Sequence, residues 1–277
     1  MPFVSVIIPT YNRAHLLRAT LDSVLAQGYG DYELVVVDDG SRDDTPASLT
    51  ELGKRIVYRS IAHQGPCVAR NVGLQIAQGE TIAFLDSDDL WRADFLQKMV
   101  GALRAAPHTG FVYCDYELFD DKGPIRTGCL RAADKIRGNL FPRLLQRDFL
   151  CMGALLIRRE CLLEVGGFDP ALPLAHDWEL WLRLARRYEA EYLNEPLLCL
   201  RQHPGQHSRN DTLMESDSLR VLARLRRRYP QEVAPYREVL RLNAIRAHRA
   251  LASYYRQTHR PLPALWHLLQ MAAARFG

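Results

Sequence analysis

The sequence predicts an α/β fold, a mostly parallel central sheet flanked by helices, with a helical extension on its C-terminal side. Three observations carry this. Short apolar, β-branched runs alternate with helix-like segments through the first 120 residues. Those runs are apolar at nearly every position, the pattern of strands buried on both faces. From about residue 213 onward, the pattern is helical throughout.

The elements follow in order. FVSVIIP, 3 to 9, is the first strand. AHLLRATLDSVLAQ sets Leu17, Leu21, Val24 and Leu25 on one helical face and ends near Gly28. YELVVVD (32 to 38), RIVYRS (55 to 60) and TIAFLD (81 to 86) are the next three strands, and GPCVARNVGLQIAQG is a helix opened by Pro66 and closed at Gly79. This βαβα order implies right-handed crossovers and a Rossmann-like half. After Trp91 come a helix at about 93 to 106, a strand at 110 to 118, and a polar stretch, 120 to 138, that reads as a loop or lid. GALLIRR (153 to 159) is a strand, CLLEVGGF a helix ending in glycines, HDWELWLRLARRY (176 to 188) an amphipathic helix, and LLCLRQH (197 to 203) a strand. Trp178 and Trp181, three residues apart on that helix, read as core packing, as does Trp91.

Composition narrows the class. With 277 residues, 48% hydrophobic and 25% charged, the chain is an ordinary globular protein, long enough for one large domain or one domain with an appendage. Its six cysteines show neither C-x-x-C pairs nor a dense framework, so reduced thiols in a cytoplasmic protein are expected and a zinc site is not. The N-terminus lacks a basic leader and cleavage site, and no run approaches the roughly 20 apolar residues of a spanning helix. The charge is uneven. From Arg201 onward there are 14 arginines against 5 acidic residues, a net +9, so with +4 overall the first 200 residues carry −5. The run Arg224, Arg226, Arg227, Arg228 suits an anionic lipid surface or a phosphate-bearing acceptor. It lacks the interleaved aromatics and reading motif of a nucleic-acid binder.

Chemistry is expected just beyond the carboxyl ends of the strands, where open α/β sheets bind ligands. The first strand ends in Pro9, Thr10, Tyr11, Asn12, Arg13; the second in Asp38, Asp39, Gly40, Ser41; the fourth in Asp86, Ser87, Asp88, Asp89. The first turn has no G-x-G-x-x-G and no G-x-x-x-x-G-K-[ST], which disfavours a dinucleotide or P-loop cradle. The crowded aspartates of FLDSDDLW repel one another, and a hard divalent cation held with a ligand's phosphate oxygens would offset that repulsion. Asp39 could accept from a nucleobase or a ribose hydroxyl, and Tyr11 could stack on the base.

These segments carry a resemblance. VSVIIPTYNR, ELVVVDDGSRDDT, GPCVARNVGLQIAQGETIAFLDSDDLW and GGFDP followed by HDWELWLRL together resemble glycosyltransferase family 2, inverting enzymes of the GT-A fold, over about residues 3 to 210. The resemblance implies a metal-dependent hexosyltransferase, taking a sugar from a nucleoside diphosphate sugar, usually UDP-linked, to an acceptor hydroxyl in surface polysaccharide or glycolipid assembly. It implies a GT-A domain at 1 to 210, with a nucleotide-binding half (1 to 120) and an acceptor-binding half (121 to 210), and leaves 211 to 277 as a helical extension. By position, Pro9, Thr10, Tyr11 and Asp39 would hold the uracil, with Arg13 and Ser87 beside the nucleotide sugar. Arg70 would meet the nucleotide, Asp86 its ribose, and Asp88 of the DxD-type motif a Mg²⁺ or Mn²⁺ ion. Asp177 matches the general base, while His176 stands where the family usually has Glu. His203 matches a late histidine that serves some relatives as a metal ligand, with His207 the lesser candidate. The expected partners are the donor, a glycan or lipid-linked acceptor and an anionic membrane surface, which would put the protein in the cytoplasm, peripheral on the inner membrane face. Alternatives are a sugar nucleotidyltransferase or a non-catalytic sugar-nucleotide-binding protein; the former's Gly-rich, Lys/Arg-bearing first loop is missing.

Overall fold

The computed structural model describes residues 1 to 203, 205 to 206 and 211 to 276. In chain order it runs β1 (Val4–Thr10), α1 (Ala14–Leu25), β2 (Tyr32–Asp38), α2 (Thr45–Thr50), β3 (Val57–Ser60), α3 (Pro66–Ile76), β4 (Thr81–Phe84), β5 (Leu90–Trp91), α4 (Phe95–Ala105) and β6 (Phe111–Asp120). It continues with β7 (Gly123–Thr127), α5 (Phe141–Gln146), β8 (Leu155–Arg158), α6 (Arg159–Val165), α7 (His176–Ala185) and β9 (Ala190–Arg201). The helices α8 (Asp211–Arg228), α9 (Pro230–Val233), α10 (Arg237–Gln257) and α11 (Pro261–Phe276) complete it.

One mixed sheet organises the molecule, in the order β3-β2-β1-β4-β8-β6-β9-β5 with β7 hairpinned onto β6. The expected parallel half is there: β3, β2, β1 and β4 run parallel, and β6 runs parallel to β9. β8 turns the direction, pairing antiparallel with both β4 and β6. Apolar side chains alternate between the faces, as a strand period of two requires. Ile7, Val35, Val37, Ile82 and Phe84 meet α3, α5 and α7 on one side; Val6, Ile8, Val36 and Ala83 meet α1 and α4 on the other. Gly73 lets α3 lie close against β1, where an added Cβ would stand 2.4 Å from Ile7 Cγ2. Trp91, Trp178 and Trp181 are all buried, as core packing requires.

Three details depart from the sequence reading. β3 is an edge strand with most of its residues exposed, not one buried on both faces; its apolar run is too short to distinguish the two. The polar 120 to 138 stretch contains β7, whose pairing with β6 gives it an ordered backbone that its composition hides. The short α2 and α5 each span 6 residues, too few for a periodicity to register.

The extension packs on the same core. Val221, Leu222, Leu225 and Leu240 join the cluster that holds Trp178 and Phe141. Asp217 accepts the backbone N–H of Leu174 at 2.9 Å, and Asn243 donates to the carbonyl of Leu145. Farther along, His248 Nδ1 and His267 Nδ1 lie 2.9 Å apart, with Tyr255 stacked on His267. One imidazole must donate and the other accept, so both cannot be charged. Burial pulls both below the ordinary 6.5, and the neighbouring His267 lowers His248 further. The unfolded chain therefore binds more protons in the window just below 6.5. The pair's contribution to stability is complete above 6.5 and is lost as pH falls through the depressed folded values. Thermal melts between pH 8 and 5 should show that loss, and a His248→Asn/His267→Asn chain should show a flatter profile.

Candidate functional site

The carboxyl ends of β1, β2 and β4 and the first turn of α7 enclose a cavity of about 650 Å³. Pro9, Thr10, Tyr11, Arg13, Asp39, Arg70, Asp86, Ser87, Asp88 and Asp177 all line it. His203 reaches it through Asp88, its Nε2 lying 2.9 Å from Asp88 Oδ2. His207 lies outside the described residues. Of the other strand-end residues the sequence singled out, Asp89 also lines the cavity, whereas Asn12, Asp38, Gly40 and Ser41 do not.

The loops after β1 and β2 are knitted together. Asn12, at φ 50, accepts the Arg42 N–H on its side chain and donates its own N–H to Ser41 Oγ, both at 2.8 Å. Asp38 serves the turn, accepting from Ser41 N–H and Tyr58 O–H. Asp39 faces the cavity. Its carboxylate accepts the N–H groups of Gln64 and Gly65 at 2.8 and 2.7 Å and meets His63 Nδ1 at 2.9 Å. His63 stacks on Tyr11 with centroids 4.0 Å apart. Sequence reasoning missed His63. Its signal was its place just after β3, a strand end at the same edge whose residues were left out of the search.

The three aspartates after β4 are separated by their partners. Asp86 accepts from Arg70 Nη2 at 2.5 Å, Asp88 meets His203, and Asp89, 2% exposed, accepts the Arg201 N–H at 2.9 Å. Burial, then the charges of Asp88 and Asp86, pushes the Asp89 carboxyl well above the usual carboxylate range. The repulsion is thus relieved partly within the chain: Asp86 and Asp88 line the cavity with partly exposed side chains, while Asp89 is buried. Among the described residues no group of three or more His, Cys, Asp or Glu side chains could hold a metal by itself. Asp88 and His203 nevertheless fit a Mg²⁺- or Mn²⁺-type site, since such ions take one or two carboxylates and fill the rest with substrate phosphates and water.

Arg70, 5% exposed, ties α3 to α7 as well as to β4. Its Nη1 donates to His176 Nε2 at 2.9 Å, and His176 Nδ1 lies 3.2 Å from the Pro173 carbonyl. Because a guanidinium only donates, His176 accepts on Nε2 and carries its proton on Nδ1. Burial first, then Arg70, lowers its pKa. A neutral histidine leaves the positive charge of Arg70 uncancelled at that end. Asp177 is turned into the same cavity, one oxygen accepting the Trp178 N–H at 2.7 Å. Two buried polar atoms in the walls, Thr10 Oγ1 and Arg70 Nε, have no partner, which suits a cavity made to bind a polar ligand. Cys151 also lines the wall; burial, then Asp148, pushes its thiol well up, which disfavours the thiolate. The first turns of α8 contribute Leu213 and Met214.

Residues 5–166 match the family model described as glycosyl transferase family 2. An uncharacterized glycosyltransferase of Rickettsia typhi is 33% identical over 210 residues, 74% of this chain and 65% of that protein. Against a Rickettsia felis relative the match spans 35% of the partner, so the chain covers less than two thirds of these relatives. The Escherichia coli UDP-Glc:alpha-D-GlcNAc-diphosphoundecaprenol beta-1,3-glucosyltransferase WfgD is 32% identical over 74% of this chain and 78% of its own. Among solved structures, Staphylococcus aureus TarS 1-349 with UDP-GlcNAc superposes at TM-score 0.68 over 95% of this chain and 89% of that one, at 16% identity. The Pyrobaculum calidifontis mannosyltransferase PcManGT, with GDP-Man and Mn²⁺, gives 0.66 over 99% and 76%, at 24% identity.

Proposed function

This chain belongs to glycosyl transferase family 2, and on that footing we propose that it is an inverting, metal-dependent hexosyltransferase that moves a sugar from a UDP-sugar to a lipid-linked glycan. Membership makes it a glycosyltransferase, and the nucleotidyltransferase alternative falls with it. The observation that carries the finer reading is that Asp88, which meets His203, and Asp177 on another element line one cavity.

The residues divide the work. Tyr11, stacked on His63, offers a flat surface for a base, and Asp39 keeps a lone pair for an imide or hydroxyl beside its two N–H partners. Arg70 holds Asp86 and presents positive charge to the diphosphate. Asp88 and His203 would hold Mg²⁺ or Mn²⁺, which when bound stabilises negative charge on the departing diphosphate. Asp177 takes the acceptor hydroxyl's proton as that oxygen bonds to the anomeric carbon. The bond to the diphosphate breaks with its electron pair, and the configuration inverts in one displacement.

Two further observations support the acceptor. WfgD acts on a diphosphoundecaprenol-linked sugar by its name. On α11, Leu262, Leu265, Trp266 and Leu269 form an exposed apolar stripe without an acidic residue in the helix, beside the arginines of α10. Such a face suits the surface of an anionic membrane, where lipid-linked glycans lie. Among the described residues no helix is long and apolar enough to cross a membrane.

The test is nucleotide release. UDP-glucose, UDP-galactose and UDP-N-acetylhexosamines are each mixed with the chain, Mn²⁺ and prenyl-diphosphate-linked monosaccharides. One donor should release UDP in proportion to glycan formed. Absence of both release and binding with every UDP-sugar would contradict the proposed donor.

A further inference from the structure

Beside the donor cavity lies a second cleft of about 580 Å³. Arg143 of α5 and Arg147 just beyond it form one wall, Arg131 and Arg246 stand at the rim, and Ala175, just before α7, and Trp178 of α7 form the floor. Four guanidiniums line it against one carboxylate, Asp148. Behind the wall, Asp134 takes Arg143 at 2.7 Å, but lies 3.4 Å from Arg147. Arg147 Nη1 is buried without a hydrogen-bond partner. Among the described residues, the side chains of Arg131 and Arg246 have neither an ion pair nor a hydrogen bond. Asp148 does not balance this charge: burial, then the nearby Asp177, raises its carboxyl well above the usual range.

The cleft's position gives the charge a use. The first turn of α7 divides it from the donor cavity, with His176 and Asp177 on one side and Ala175 and Trp178 on the other, while Met214 lines both. A molecule whose anionic group rests among the arginines can set a neighbouring hydroxyl at Asp177. Arginine's planar fork matches phosphate oxygens in pairs. We propose that this arginine cleft binds the phosphate or diphosphate through which the acceptor sugar is linked, making the enzyme selective for phosphate-linked over neutral acceptors. The proposal rests on the donor reading of the larger cavity.

Binding separates the two ideas. The full chain, saturated with UDP and Mn²⁺, is titrated with farnesyl diphosphate and, separately, with glucose 1-phosphate, as wild type and as Arg131→Gln/Arg246→Gln. Both replaced side chains are exposed, so the fold should survive, and unchanged UDP affinity checks that it has. At least one anion should bind and should weaken about tenfold or more in the double variant; the anion that binds more tightly tells a lipid-linked from a soluble source. The proposal is overturned if neither anion binds, or if the double variant binds both as tightly as wild type. Should UDP fail to bind while anion binding still depends on the two arginines, the donor reading falls and the cleft stands.

Discussion

Asp177→Asn should lower kcat by about 10² to 10⁴ while leaving UDP affinity unchanged. The substitution keeps shape and keeps an oxygen to accept the Trp178 N–H, which Asp177 now holds at 2.7 Å, so the first turn of α7 should survive. It removes the lone pair that accepts a proton. The proposed donor contacts lie at the ends of β1, β2 and β4, which the change does not touch. Steady-state transfer kinetics beside a UDP titration read both quantities. Wild-type turnover with the donor bound would remove Asp177 from the mechanism.

Arg70 should be the most costly site residue to lose. It is buried, it bridges Asp86 and His176, and its removal strands a carboxylate and an imidazole acceptor together. Breaking a fully buried ion pair costs about 3–5 kcal/mol; Asp86 is about a third exposed, so about 2 kcal/mol is expected for Arg70→Ala. Arg70→Lys separates folding from binding. A lysine ammonium is a point charge that cannot span both partners as the fork does, so this variant should fold, yet bind UDP about tenfold more weakly. Thermal melts and UDP titrations of the two variants check this. An Arg70→Lys chain with wild-type melting and UDP affinity would show that the bridge carries nothing.

Much of the parallel half was legible because β1, β2 and β4 are central strands whose burial on both faces writes a continuous apolar run. β3 wrote a similar run while lying at the edge, since a strand of four residues carries too little pattern to show its own exposure. β7 and β5 depend on partners distant or polar in sequence, and no local period marks them. Part of the candidate site was legible by rule: strand ends meet at one edge, so residues 9 to 13, 38 to 41 and 86 to 89 could be gathered without coordinates, while Arg70, Asp177 and His203 came only from the family resemblance. What could not be read was the division of labour among the aspartates. Asp88 and Asp89 are neighbours in sequence, yet one keeps a partly exposed side chain and the other is buried and takes the Arg201 N–H. The neutral state of His176 was equally hidden, because it follows from Arg70 more than 100 residues away. The arginine cleft draws on the chain before α5, on α5 and on α10, and only folding brings them together.

Calorimetric titration of UDP, with and without Mn²⁺, into the wild-type chain and an Asp88→Ala variant tests the shared cavity most directly. The account predicts one UDP per chain, tighter binding with Mn²⁺, and loss of that Mn²⁺ enhancement in the variant. UDP that fails to bind, or a Mn²⁺ effect that persists without the Asp88 carboxylate, would contradict it.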